Sequence, residues 1–231
     1  METTKEENAK ALLHYNMAFI GGFLGMYAVL ARSGFLGSAQ TANLIYIVIA
    51  IVGKNPLDLL LRVGAMALYS LAVAFTTALP HHFKNINLKL ISIFVDLGAI
   101  AILGFIPKDA NLVLGLYPIF FAMAFQWCSF TGAYGFTCSS IFSTNNLRQF
   151  SAAMTEIYIN KDKSFKLKAK FYGITLVSFH IGALISCVLW QALGIKAVWL
   201  CALPAIPAIF MAAKTFSLKA VKGSNSLTVG H

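Results

Sequence analysis

The stretch Leu112–Leu147, LVLGLYPIFFAMAFQWCSFTGAYGFTCSSIFSTNNL, contains no Asp, Glu, Lys or Arg. A bilayer-spanning helix needs about 20 mostly apolar residues. In hydrocarbon every backbone polar group must be satisfied internally, so long apolar runs become helices packed as a bundle. Outward from this stretch the pattern repeats. Of the 231 residues 58% are hydrophobic and 11% charged, against about 25% charged in a soluble domain. A soluble surface needs charge and a lipid-facing one excludes it. The sequence therefore implies an all-α, polytopic transmembrane helix bundle with the lipid bilayer as its principal partner.

Eight apolar segments can be marked, at about 11–31, 36–53, 57–79, 88–106, 110–130, 136–159, 171–191 and 195–213. Turn-forming or charged stretches (ARSG, GKNP, PHHFKNIN, PKDAN and NKDKSFKLKAK) separate them. The second and sixth, beginning FLGSAQTANL and carrying FTCSSIFSTNNLRQF, are too polar to face lipid. Residues 1–10 read as a cytoplasmic N-terminus and 11–213 as the transmembrane domain. Residues 214–231 read as a polar, disordered tail on the cytoplasmic side. No small-residue cleavage site follows the first apolar run, which favours a retained first helix.

Lys and Arg set the orientation. With eight spans and a cytoplasmic N-terminus, 13 of the 18 lysines and arginines lie inside and 4 outside, Arg148 falling within a segment. If the second and sixth segments are re-entrant, six helices span and the division is 12 to 5. Both arrangements put both termini in the cytoplasm and suit a bacterial inner membrane. The net charge of +10 comes from these loop clusters, not from a basic face, which argues against a nucleic-acid partner. The four cysteines, Cys128, Cys138, Cys187 and Cys201, lie in apolar runs without a CxxC and read as inert thiols.

Thr41-Ala42-Asn43-Leu44 and Thr144-Asn145-Asn146-Leu147 stand 103 residues apart, each in the polar segment that follows a long apolar helix. The order of segments around them matches, giving one repeat over about 11–106 and a second over about 110–213. Transporters built from such repeats place the ligand site between them, on broken helices near the midplane.

Two blocks resemble the YoaK family of bacterial membrane proteins, grouped under a domain of unknown function. They are GGFLGMYAVLARSGFLGSAQTANLI (21–45) and FAMAFQWCSFTGAYGFTCSSIFSTNNLR (121–148). Similarity extends from about Asn16 to Phe210. The first block of the family reads G-x-x-D-A, a spacer and T-G-N. The second ends near a Gln followed by T-G-N-L-R. Gln40, Thr41 and Asn43 match the first, and Gln126, Thr144, Asn146, Leu147 and Arg148 match the second. Gly25 stands where the family has Asp, and Ala42 and Asn145 where it has Gly. The resemblance implies a membrane architecture with a polar centre and carries no settled activity or substrate.

The polar residues at membrane depth each have a bland and a sharp reading. Gln40, Thr41, Asn43, Gln126, Thr144, Asn145 and Asn146 either tie helices together, at about 0.6–2 kcal/mol each, or line a solute site shared by the two repeats. Arg148 either snorkels to the cytoplasmic headgroups or pairs with Glu156, or, buried, holds an anionic solute bidentately. Its old partner would be the family acid, absent at Gly25. Asp96, mid-segment in SIFVDLGAIAI, is a proton-coupling candidate or a neutral acid bonded to a neighbouring helix. His180 reads as a packed, neutral histidine. Gly21, Gly22 and Gly25 form a small-residue face for close helix packing. No Walker A loop, G-x-S-x-G, H-E-x-x-H or dinucleotide fingerprint occurs, and no nucleophile–base set stands out. The sequence thus points to a small-solute transporter or channel, not an enzyme, with no cofactor, metal or catalytic residue assigned. A homodimer suits its small size. The alternative is a non-transporting membrane scaffold or assembly factor.

Overall fold

A computed structural model describes residues 2–32 and 40–228, with side chains over 4–32 and 40–217. Its helices follow the segments in order: α1 (Glu2–Ala31), α2 (Gln40–Val52), α3 (Pro56–His82), α4 (Leu88–Leu103), α5 (Tyr117–Ser129), α6 (Thr144–Tyr158), α7 (Lys166–Leu193) and α8 (Ala202–Thr228). Sequence signals set several boundaries. Asn55 caps α3 by accepting from the Asp58 N–H, with Pro56 in the first turn, and Asn87 caps α4 by accepting from the Leu90 N–H. α7 ends at Gly194, with φ at 57°.

Two expectations need correcting. The sixth segment is not one helix. Between α5 and α6 the chain forms a small antiparallel hairpin, β1 (Gly132–Ala133) and β2 (Phe136–Thr137), in the register Gly132↔Thr137, and then an irregular stretch to Ser143. Gly132 (φ 134°) and Gly135 (φ 76°) supply the left-handed conformations that turn requires. At the other end of the chain, α8 stays helical through Thr228, well past the Lys214 boundary. The start of the second segment, 36–39, lies outside the described residues.

Three helical stretches are long and apolar enough to cross a membrane: Thr4–Ala31, Pro56–His82 and the run Lys163–Ser217, which takes in α7 and most of α8. The surface is correspondingly apolar. Val52, Leu60, Leu184, Leu203 and Phe210 are exposed, while Ser92, Asp96, Gln126, Ser140, Thr175 and Ser186 are buried. A large exposed apolar surface over a polar-containing interior is the informative departure from a soluble fold.

Contacts divide the bundle into two ends. At the first, the Tyr134 hydroxyl donates to Asn8 Oδ1 (2.6 Å), the Tyr172 hydroxyl to the Thr137 carbonyl (2.5 Å), and Asn87 Nδ2 to the Ala212 carbonyl (3.1 Å). At the second, Arg32 Nη1 donates to the carbonyls of Pro107 and Lys108 (both 3.1 Å), Tyr27 to that of Leu103 (3.3 Å), and Tyr117 to that of Leu61 (2.8 Å). The helices α1, α3, α4, α5, α7 and α8 run between the two ends. The short α2 joins α3 at the second end, and the short α6 precedes α7 at the first. Helix packing pairs α1 with α7 and α8, α5 with α3 and α4, α2 with α3, α6 with α7, and α4 with α8.

The closest seam is α1 against α7. A Cβ at Gly22 would lie 1.9 Å from the Phe179 carbonyl oxygen, and one at Gly182 2.0 Å from that of Phe19. Only hydrogen at both positions lets the two backbones meet this closely. Gly25 faces the same helix, with Phe179 Cζ 3.9 Å from its virtual Cβ.

Candidate functional site

The last turn of α5 buries Gln126 completely. Its amide nitrogen donates to the Met17 carbonyl on α1 (2.9 Å) and to Ser140 Oγ (2.8 Å). The Ser140 carbonyl rests on Gly21, where a Cβ would lie 2.2 Å from the oxygen. The chain after the hairpin thus reaches the middle of α1, and Gln126 joins three elements from both halves of the sequence. Gln126 Oε1 is buried without a hydrogen-bond partner among the described residues.

Below this knot the turn that starts α6 is tightly bonded. Ser139 Oγ accepts from the N–H groups of Ile141 and Phe142. Asn146, nearly fully buried, accepts from the Ser139 N–H (3.1 Å) and donates to the carbonyls of Ser139 (2.7 Å) and Phe142 (3.0 Å). Asn146 therefore ties the irregular stretch before α6 to the first turn of that helix. The hairpin itself is held to α1: the Glu7 carboxylate accepts from the Tyr134 N–H at 2.5 Å and pairs with Lys10. Phe171 sits against Tyr134, Phe136, Tyr15 and the His14 ring.

The first polar turn is built otherwise. Asn43, also buried, donates to Gln40 Oε1 (3.2 Å) and to the Arg62 carbonyl on α3 (3.0 Å). Arg62 pairs with Asp58 at 2.8 Å and lies 4.3 Å over the Tyr46 ring. Asn43 Oδ1 and Gln40 Nε2 are buried without partners among the described residues. Thr41 faces outward.

The structure therefore joins Gln40 to Asn43, and Gln126 to the chain around Ser140, but it does not bring Thr41 and Asn43 together with Thr144 and Asn146. One set sits on α3, the other beside α1 and α7. Arg148 is a correction as well. It is exposed on α6, its guanidinium bonded to Asn145 Oδ1 (3.0 and 3.3 Å), so no buried charge needs an answer. Thr144 and Asn145 are exposed beside it. The reason is the amphipathic character of α6: Asn146 and Ala153 face inward while Arg148 shares the outer face with Leu147 and Ser151. Glu156 bonds Asn160 instead. His180 is exposed, its ring bonded to the Leu176 carbonyl one turn earlier.

Asp96 is fully buried on α4, with neither carboxylate oxygen hydrogen-bonded to a described residue. Ser92, one turn earlier on the same face, is likewise buried and unpartnered. So are both ring nitrogens of His14 on α1. His14, Ser92, Ser140 and the buried Arg32 were not singled out from sequence. Ser92 had a legible signal, the i, i+4 spacing to Asp96. His14 and Ser140 are single polar residues in apolar runs and offer none.

Compared with known families, residues 13–212 match the one described as a protein of unknown function, DUF1275. The chain belongs to the DUF1275 family. The match spans both polar turns, α4 and α5, and it agrees with the YoaK-like resemblance of the two sequence blocks. No curated protein and no solved structure matches the chain.

Proposed function

We propose that this DUF1275 member is a small-solute carrier of the bilayer, built from two halves with the solute site between them around Gln126 and Ser140. The halves are α1–α4 and α5–α8. In support, the packing partners map onto each other when each helix is exchanged for the one four later. The α1–α7 contact becomes α5–α3, α1–α8 becomes α5–α4, α2–α3 becomes α6–α7, and α4–α8 maps onto itself. Three crossing helices and one short helix per half give six spans. An odd number of crossings turns the second half upside down relative to the first, the arrangement of many secondary transporters. The lysine-rich loop before α7 then marks the hairpin end as cytoplasmic.

The observation that carries the reading is Gln126 Oε1, a fully buried polar atom at this junction with no hydrogen-bond partner among the described residues. Native interiors leave few such atoms, and water or a ligand is the usual answer. The site offers amide and hydroxyl groups, which fits a polar solute. The anion role expected of Arg148 has no support from its outward position.

A thermal-shift screen of the purified protein against metabolite panels, followed by uptake into reconstituted vesicles, tests the proposal. A solute that stabilises and is taken up by the wild type, and does neither with Gln126→Leu, is the expected result. Stabilisation that persists unchanged in Gln126→Leu would move the site elsewhere. A second reading, a non-transporting scaffold, draws support from Asn146, whose hydrogen-bonding groups are spent on the adjacent chain.

A further inference from the structure

One face of α4 carries a polar line through an apolar core. Lys89 lies at its first turn, Ser92 follows, then Asp96, after which Ile100 and Leu103 continue the same face as hydrocarbon. Lys89 Nζ stands 5.8 Å from the centre of the Phe130 ring, at the hairpin end. The His14 ring, 5.4 Å from Phe171, faces that region from α1 and lies within electrostatic reach of Lys89. The line therefore starts at the hairpin end and stops at Asp96, about seven residues or 10 Å into the helix.

Helix α4 packs against α8 and the run that precedes it. There the chain leaves α7 through a 3-10 run, Gly194–Cys201, and enters a helix that contains Pro207. Runs of 3-10 geometry longer than three or four residues are uncommon and often mark a hinge. Cys201, fully buried at the end of that run, is close enough to Asp96 to feel its charge. Among the described residues the other elements packed on α4 bring no charge to Asp96, and Lys196 of the 3-10 run is exposed. Helix α5 contains no Asp, Glu, Lys, Arg or His. Its Tyr117 hydroxyl is spent on the Leu61 carbonyl, and its Cys128 lies near Tyr69. The α8 cation Lys214 is exposed.

We propose that Asp96 is a proton-exchange site, loaded and unloaded from the hairpin end through water along Ser92, His14 and Lys89, and that its charge state biases the 3-10 hinge before α8. This deepens the carrier reading and rests on it for its purpose, naming the proton as coupling ion. The carboxyl is held neutral in the closed core, because an ionised carboxylate without partners in such a place is strongly unfavourable. Release breaks the carboxyl O–H bond, passes the proton to a water at Ser92, and leaves a carboxylate opposite the hinge. A carboxylate there requires either water or movement of α8, and that requirement links proton loss to conformation.

Infrared spectroscopy of the full-length protein in vesicles tests this without any solute. The expected spectrum has a protonated carboxyl C=O band that is absent in Asp96→Asn and shifts down when the vesicles are moved into D2O. Ser92→Ala and His14→Phe should keep the band but slow the shift several-fold. No band assignable to Asp96 would overturn the proposal, as would a band that never exchanges, the mark of a sealed structural acid. Unchanged exchange in both variants would overturn the route. Because no uptake is read, failure of the carrier reading leaves this result standing. Uptake that survives Asp96→Asn would keep the carrier and remove the proton.

Discussion

The two short polar helices begin with nearly the same residues yet are bonded to different depths. Asn43 in α2 answers one carbonyl, that of Arg62, on the single helix beside it. Asn146 in α6 closes three hydrogen bonds within its own turn, and that turn is fastened through Ser140 and Gln126 to the middle of α1. Similar chemistry at matched positions therefore does not make one shared site. It makes a peripheral clasp on α3 and a junction anchored to α1, and only the junction ties the chain after the hairpin to the middle of another helix.

Gly21→Val should have the largest effect, because the added side chain must occupy the place of the Ser140 carbonyl, which is backbone and cannot step aside. We expect a loss of about 3 kcal/mol, seen as a lower midpoint when the detergent-solubilised protein is heated and its monodisperse fraction measured. An unchanged midpoint would mean that the chain after the hairpin is not seated on α1. Asn146→Leu comes next. It leaves the Ser139 N–H and two carbonyls without their partner, at about 2 kcal/mol. In the same assay Asn43→Leu should cost about 1 kcal/mol, in the range of polar contacts between membrane helices. Equal costs for the two asparagines would erase the contrast between clasp and junction. Arg148→Gln should be the mildest, within about 0.5 kcal/mol, since the exposed guanidinium gives up only its bonds to Asn145. A large loss there would restore the buried arginine that the sequence suggested.

The sequence carried the number and order of the helices because each apolar run was long and was broken by charge, Pro or Gly. It also carried a face of close helix packing on α1, through Gly22, though not the helix that meets it. The hairpin was hidden inside an uncharged run, although Gly132 and Gly135 on either side of Ala133-Tyr134 are the glycines a tight turn calls for. Arg148 was misplaced because hydropathy along a segment does not say which face of a short helix a residue occupies. The pairing of Asn43 with Asn146 failed because matching positions in a repeat become neighbours only when they lie near the axis that relates the halves. Gln126 and Asp96 were legible as polar groups in apolar helices. Ser140 and His14, which complete their surroundings, depend on contacts between residues far apart in sequence.

The central claim is that the Gln126–Ser140 junction is open to water and solute. It is tested most directly by placing a single thiol there: Ser140→Cys in a protein whose four native cysteines are replaced, probed in sealed vesicles with a small, membrane-impermeant thiol reagent. Labelling from the hairpin end, slowed by a solute that stabilises the wild type, is the result expected. A thiol that reacts only after denaturation would show a dry junction and leave the protein a scaffold.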